Sequence, residues 1–162
     1  MVARGPAYMR PKNKVHFNYY LLDDPSITDK RKVFEIGMRR TLDLMLANGK
    51  KIVFVLENPT LTFDPESCQN IFALLPYFKH SCWISRQDYL DEHQEYRDLV
   101  HAILKDYPSV LIFDPAQYLC DDQTCFAKNG DELLYGDRNH LTAAGADFLA
   151  EYLVDAIIQA RK

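Results

Sequence analysis

Leu134-Tyr135-Gly136-Asp137-Arg138-Asn139-His140-Leu141-Thr142-Ala143-Ala144-Gly145-Ala146 reads as a loop that opens an amphipathic stretch running to the end of the 162-residue chain. It sets a carboxylate and an imidazole three residues apart. A carboxylate that accepts the Nδ1 proton of a histidine fixes its tautomer and turns Nε2 toward a hydroxyl nucleophile, the base-and-orienter half of a catalytic triad. Asp137 and His140 are therefore the candidate catalytic residues, and the nucleophile has to come from elsewhere. The competing structural reading makes His140 a helix-start residue and Asp137 a turn residue or cap. Thr142 reads as the N-cap of the last helix, and Arg138 and Asn139 as solvent-facing.

Outward from this loop, the apolar pattern predicts a helix over about 143–160 that buries Leu149, Tyr152, Leu153, Ala156 and Ile157. Two short β-branched runs, Lys51–Leu56 and Ser109–Phe113, read as strands buried on both faces. Each follows a predicted helix. Residues 29–47 place Val33, Phe34, Met38, Leu42 and Met45 near helical spacing and stop at Asn48-Gly49, a helix-end signal. Residues 87–105 align Tyr89, His93, Tyr96, Val100 and Ile103 and end before Pro108. Helices alternating with buried strands predict an α/β fold with a parallel sheet, whose ligand crevice lies beyond the carboxyl ends of the strands. The proline-interrupted segment 58–82 reads as a loop with a short helix near 67–75.

At 48% hydrophobic the chain is long enough for one core, and a single domain over 1–162 is expected. A formal charge of −4 with mixed signs argues against nucleic acid as a partner. The basic clusters Arg10–Lys14 and Arg39-Arg40 read as solvated faces. No run approaches the roughly 20 apolar residues that cross a bilayer, and the N-terminus lacks a signal-peptide core. Those features alone describe a cytoplasmic chain.

The four cysteines point the other way. Cys120 and Cys125 close a short polar loop suited to a disulfide in an oxidising compartment, with Cys68 and Cys82 as a second pair. Free thiols and a zinc site are the rival readings, although Cys-x4-Cys without a second matching pair is poor zinc-ligand spacing. His16, His80, His93 and His101 show no mutual ligand spacing, and His93 reads as a packed helix residue.

The succession Phe113-Asp114-Pro115, Leu119-Cys120, Cys125, Leu134-Tyr135, Asp137, His140-Leu141-Thr142 and Gly145-Ala146 resembles the C-terminal Asp-x-x-His block of the SGNH hydrolase superfamily. The form it resembles most is the SGNH domain behind the membrane-embedded acyltransferase-3 domain of surface-polysaccharide O-acyltransferases. Val2-Ala3-Arg4, Thr41-Leu42, Gly49-Lys50, Ile52-Val53, Pro59, Cys68 and Cys82 look like that domain's middle portion. The resemblance implies a flavodoxin-like three-layer fold, a parallel sheet flanked by helices, here incomplete at its N-terminus. SGNH proteins carry the nucleophile in a Gly-Asp-Ser block after the first strand, whereas this sequence offers only Gly130-Asp131-Glu132 and Gly136-Asp137-Arg138. The chain is accordingly expected to be the C-terminal portion of one SGNH domain, with base and orienter but without the serine. Ser85 is the substitute nucleophile weighed, and it lacks a glycine-rich elbow.

Further implications concern the reaction. Arg4 and Asn58 are candidate oxyanion or substrate residues, each with a structural reading beside it. The expected activity is serine-ester acyl transfer, commonly O-acetylation, to polysaccharide or lipopolysaccharide. The alternatives are an SGNH carbohydrate or lipid esterase, and a catalytically dead remnant with a binding or structural role. The expected partners are an acyl donor, a glycan hydroxyl acceptor and the missing N-terminal part or a membrane acyltransferase domain. No metal or organic cofactor is expected, and the expected location is the periplasm or the extracytoplasmic face of the inner membrane.

Overall fold

A computed structural model of the chain describes residues 19–69 and 81–159. The described residues divide into two compact units: one from the chain up to Val55 with Glu92–Ile112, the other from Leu56–Asp91 with the chain from Phe113 onward.

In the first unit, helix α1 (Lys30–Ala47) starts where the Asp29 carboxylate accepts the Lys32 amide at 2.8 Å. It stops at Gly49, whose φ of 68° is open to a residue without a Cβ. The Gly49 and Lys50 amides donate back to the carbonyls of Leu46 and Met45, closing the last turn. Met38 and Leu42 are its buried face. Strand β1 (Val53–Val55) pairs with β3 (Leu111–Phe113), and the Leu111 amide donates to the Ile52 carbonyl at 3.1 Å. Just past β1, Leu56 and Phe113 belong to the second unit, where the Leu56 amide donates to the Phe113 carbonyl at 2.9 Å. Offsets of this kind arise when both strands run the same way. Helix α2 (Arg86–Leu104) buries Tyr96, Val100 and Ile103 on the predicted stripe, with His93 only 1% exposed.

The second unit carries the remaining elements. A 3-10 turn (Pro65–Cys68) is capped by Asp64; β2 (Trp83–Ser85) pairs antiparallel with β4 (Thr124–Phe126), Ile84 facing Cys125. Helix α3 (Ala116–Leu119) follows Pro115, and β5 (Lys128–Asn129) with β6 (Glu132–Leu133) forms a small hairpin turning at Gly130, φ 59°. Helix α4 (Ala143–Gln159) closes the chain. Ile84, Tyr89, Leu119, Leu134, Tyr135 and Leu149 share its core.

The α/β class and the three long helices agree with the periodicity, each end shifting by no more than a residue. Strands 51–56 and 109–113 shorten to three residues each. Of the helix expected near 67–75, the described residues show a 3-10 turn at Pro65–Cys68, started by Asp64 followed by proline; residues 70–80 lie outside those described. The β2–β4 and β5–β6 pairs had no counterpart in the sequence reading. Both are too short for alternation to register. Tyr152, expected to be buried, is 37% exposed, and Leu153, Ala156 and Ile157 are half-buried.

Helix α4 is seated by one close contact. A Cβ at Gly145 would overlap the Leu134 carbonyl oxygen and lie 2.8 Å from its carbon. Alanine has the better helix propensity by about 1 kcal/mol. Backbone overlap of this size outweighs it, since backbone has no alternative rotamer. Gly145→Ala should therefore lower stability by about 1–3 kcal/mol in urea unfolding; an unchanged or higher midpoint would show that the contact does not seat the helix.

Candidate active site

The loop between β6 and α4 is built from backbone pairing. The Gly136 amide donates to the His140 carbonyl at 2.8 Å, and the Thr142 amide donates to the Leu134 carbonyl at 3.0 Å. Tyr135 and Leu141 form an antiparallel bridge between them. Thr142 fixes the exit. Its Oγ1 donates to the Leu133 carbonyl at 2.7 Å and accepts the Gly145 amide at 3.0 Å, the N-cap expected of it.

Within this frame one carboxylate does three things. Asp137 Oδ1 accepts the amides of Asn139 at 2.9 Å and His140 at 2.8 Å, while Oδ2 lies 2.6 Å from His140 Nδ1. The Asn139 amide, then the His140 ring and the His140 amide, pull the Asp137 carboxyl down to about 2. An ionised carboxylate can only accept, so the Nδ1 position carries the proton and Nε2 is the basic nitrogen of the ring. Both side chains are more than half exposed, at 58% for His140 and 55% for Asp137.

A second segment grips the loop. The Leu61 amide donates to the Arg138 carbonyl at 2.7 Å, and Asn58 Nδ2 donates to the Asn139 carbonyl at 3.0 Å. A longer contact of 3.5 Å runs from Asn58 Nδ2 to the Pro59 carbonyl. Asn58 thus stands beside the dyad with its amide committed to the loop backbone. Behind it, Tyr135 is fully buried, and that burial raises its phenol pKa while the Asn58 side chain acts in the opposite sense. Leu61 escaped the sequence reading because it acts through its amide, which no residue type signals.

Arg4 lies outside the described residues. Ser85 Oγ accepts the Asp88 amide at 2.9 Å, which makes it the cap of α2. The cysteines pair as Cys120–Cys125 and Cys68–Cys82, with Cα separations of 3.9 and 5.6 Å. The first is a tighter approach than the usual disulfide minimum of about 4.4 Å. Cys120 and Cys125 face each other across an isolated antiparallel bridge. Asp121 braces the turn between them by accepting the Gln123 and Thr124 amides, which lead the lowering of its carboxyl pKa. With every thiol in a disulfide, no thiolate is left for zinc, and no metal-holding group of three His, Cys, Asp or Glu occurs among the described residues.

The family model for the SGNH domain fused to AT3 domains, where AT3 denotes acyltransferase-3, matches residues 1–155. The chain belongs to that family. No curated protein and no solved structure matches it. Family membership associates the SGNH chain with acyltransferase or esterase chemistry, and its two disulfides fit an oxidising compartment. No described helix is long and apolar enough to cross a membrane.

Two measurements test this geometry. Because the folded Asp137 pKa lies below its ordinary value, the contacts it makes are present above about pH 4 and are lost as pH falls through the folded value. The Asn139 and His140 amide resonances should therefore shift with a midpoint near 2; a midpoint at the ordinary carboxylate value would contradict the hydrogen-bond network. Asn58→Ala removes a hydrogen bond of about 1 kcal/mol, so amide exchange at Asn139 and His140 should quicken roughly 5-fold. Unchanged exchange there would mean that Asn58 does not hold the loop.

Proposed function

We propose that the chain is the C-terminal portion of one SGNH domain of the three-layer type, with β1 and β3 in its parallel sheet, and that it takes part in O-acylation of a cell-surface polysaccharide or lipopolysaccharide. The observation that carries this reading is the 2.6 Å contact between His140 Nδ1 and Asp137 Oδ2 inside a family match spanning residues 1–155. The nucleophile is a serine from a Gly-Asp-Ser block outside these 162 residues, since the sequence has no such string.

In the first half-reaction, the serine Oγ attacks the carbonyl carbon of the acyl donor while His140 Nε2 takes the hydroxyl proton. The donor's leaving group departs with that proton, and the acyl group remains as a serine ester. In the second, a glycan hydroxyl gives its proton to Nε2 and attacks the ester, and the serine oxygen recovers the proton. Asp137 keeps the imidazole in one tautomer and stabilises the imidazolium in both steps. Asn58 and Leu61 act through the loop backbone. The acyl group resides on the serine, so the scheme calls on no metal or organic cofactor. Hydrolysis differs only in that water replaces the glycan hydroxyl; the 58% exposure of His140 favours access by water when no acceptor is bound. The two disulfides support a periplasmic or extracytoplasmic location, beside a membrane acyltransferase domain that presents the donor.

The 162-residue chain should neither turn over p-nitrophenyl acetate by a serine-dependent route nor be labelled by a fluorophosphonate. An N-terminally extended protein carrying Gly-Asp-Ser should do both. In that protein His140→Ala abolishes turnover, and Asp137→Asn lowers kcat by about 10^4, as in triads with the wrong tautomer. Stoichiometric labelling of the short chain at Ser85 or another serine would overturn the assignment.

A further inference from the structure

Between the β5–β6 hairpin and α4 lies a cleft of about 510 Å³, within the size range of small-ligand sites. Its character is aromatic and polar together. Phe148 and Tyr152 line it together with Asn129, Glu132, Ala144, Asp147 and Glu151. Tyr152 is held by a stack of rings: Phe113 lies on Tyr118 at 5.4 Å and 16°, and Tyr118 lies on Tyr152 at 4.1 Å and 21°. Phe148 meets Tyr152 edge-on at 5.7 Å and 70°. One side of the Tyr152 ring is thus spent on Tyr118, and the residue, which lines the cleft, remains 37% exposed. A tyrosine on the α4 stripe that ought to be core is instead rigidly braced and left open.

We propose that this cleft is a subsite for uncharged sugar rings of the acceptor glycan, with Tyr152 as the stacking platform; the assignment rests on the acyl-transfer reading above. A pyranose ring offers an apolar face of C–H bonds, which suits a flat aromatic surface, and a rim of hydroxyls, which suits acceptors in pairs. Asp147 and Glu151 stand one helical turn apart on α4, as do Phe148 and Tyr152. Glu132 and Asn129 face them from the hairpin, and the Asn129 amide both donates and accepts. Three carboxylates with no Lys or Arg in the lining repel phosphate, sulfate or uronate groups. Position gives the cleft its purpose. His140 stands just before the first residue of α4, and the lining residues 147–152 lie about 6–14 Å further along the helix axis. A chain bound there extends along the helix that starts at the dyad.

The test is binding, independent of turnover. The protein is applied to an array of neutral, uronate-containing and amine-bearing oligosaccharides, and hits are titrated by NMR. Neutral oligosaccharides should bind and shift the Tyr152, Phe148 and Glu132 resonances. Tyr152→Ala should weaken them about 10-fold, the effect of losing one well-packed aromatic contact. Glu132→Lys, an exposed change on the hairpin that leaves the ring stack intact, should weaken them as well. In the N-terminally extended protein, His140→Ala should bind neutral oligosaccharides as its parent does while turnover is lost. If the extended protein has no turnover at all but neutral chains still bind through Tyr152, the acyl-transfer reading fails and the cleft stands. Preference for uronate-containing or amine-bearing chains, no neutral hit, or hits indifferent to both cleft variants would overturn it.

Discussion

The absence of a side chain at Gly145 lets α4 start directly on the Leu134 carbonyl, where any Cβ would overlap the peptide group. Leu134 is itself immobilised, its side chain fully buried and its amide bonded to the Ala127 carbonyl at 2.8 Å. With the helix fixed at one end and the β6 exit fixed at the other, the five residues 136–140 have to return within a span set by the Tyr135–Leu141 bridge. The geometry of the Asp137–His140 pair is a product of that short return. Asp137 and His140 face each other because the chain between them has little room for another path.

The electrostatics follow from the same turn. The acidity of Asp137 owes more to a peptide N–H than to any neighbouring cation, so the carboxylate beside His140 Nδ1 stays ionised well below the usual carboxylate range. A carboxylate held by backbone donors is oriented by the fold itself and resists salt better than a surface ion pair does. Arg39, by contrast, draws on Glu35 and Asp106 at the surface of the first unit, where such pairs contribute little to stability.

Much of this was legible in the sequence. The α2 stripe of Tyr89, His93, Tyr96, Val100 and Ile103 is buried throughout, because a helical period sustained over four turns leaves no competing face. The Asp137–His140 contact could be read because three residues of spacing in a turn bring the side chains together. The paired cysteines were similarly local. Illegible features share a physical cause: they reside in backbone groups or in very short strands. The Leu61 amide has no sequence signature, the two- and three-residue strands of the second unit have no period, and the exposure of Tyr152 depends on what the β5–β6 hairpin leaves uncovered. Asn58 could be picked out by its place after a strand, but its donor is directed to the loop backbone, a choice made by the fold.

Leu61 and Asn58 hold residues 138 and 139 by their carbonyl oxygens, a group every amino acid possesses. The clamp is therefore indifferent to which side chains stand there, apart from a proline at 139, which would forfeit the amide bonded to Asp137. Arg138, exposed, and Asn139, half-buried, sit between Asp137 and His140 without contributing a side chain to either anchor. These two positions are thus places where side chains can change beside the Asp137–His140 pair while the geometry of that pair is inherited unchanged.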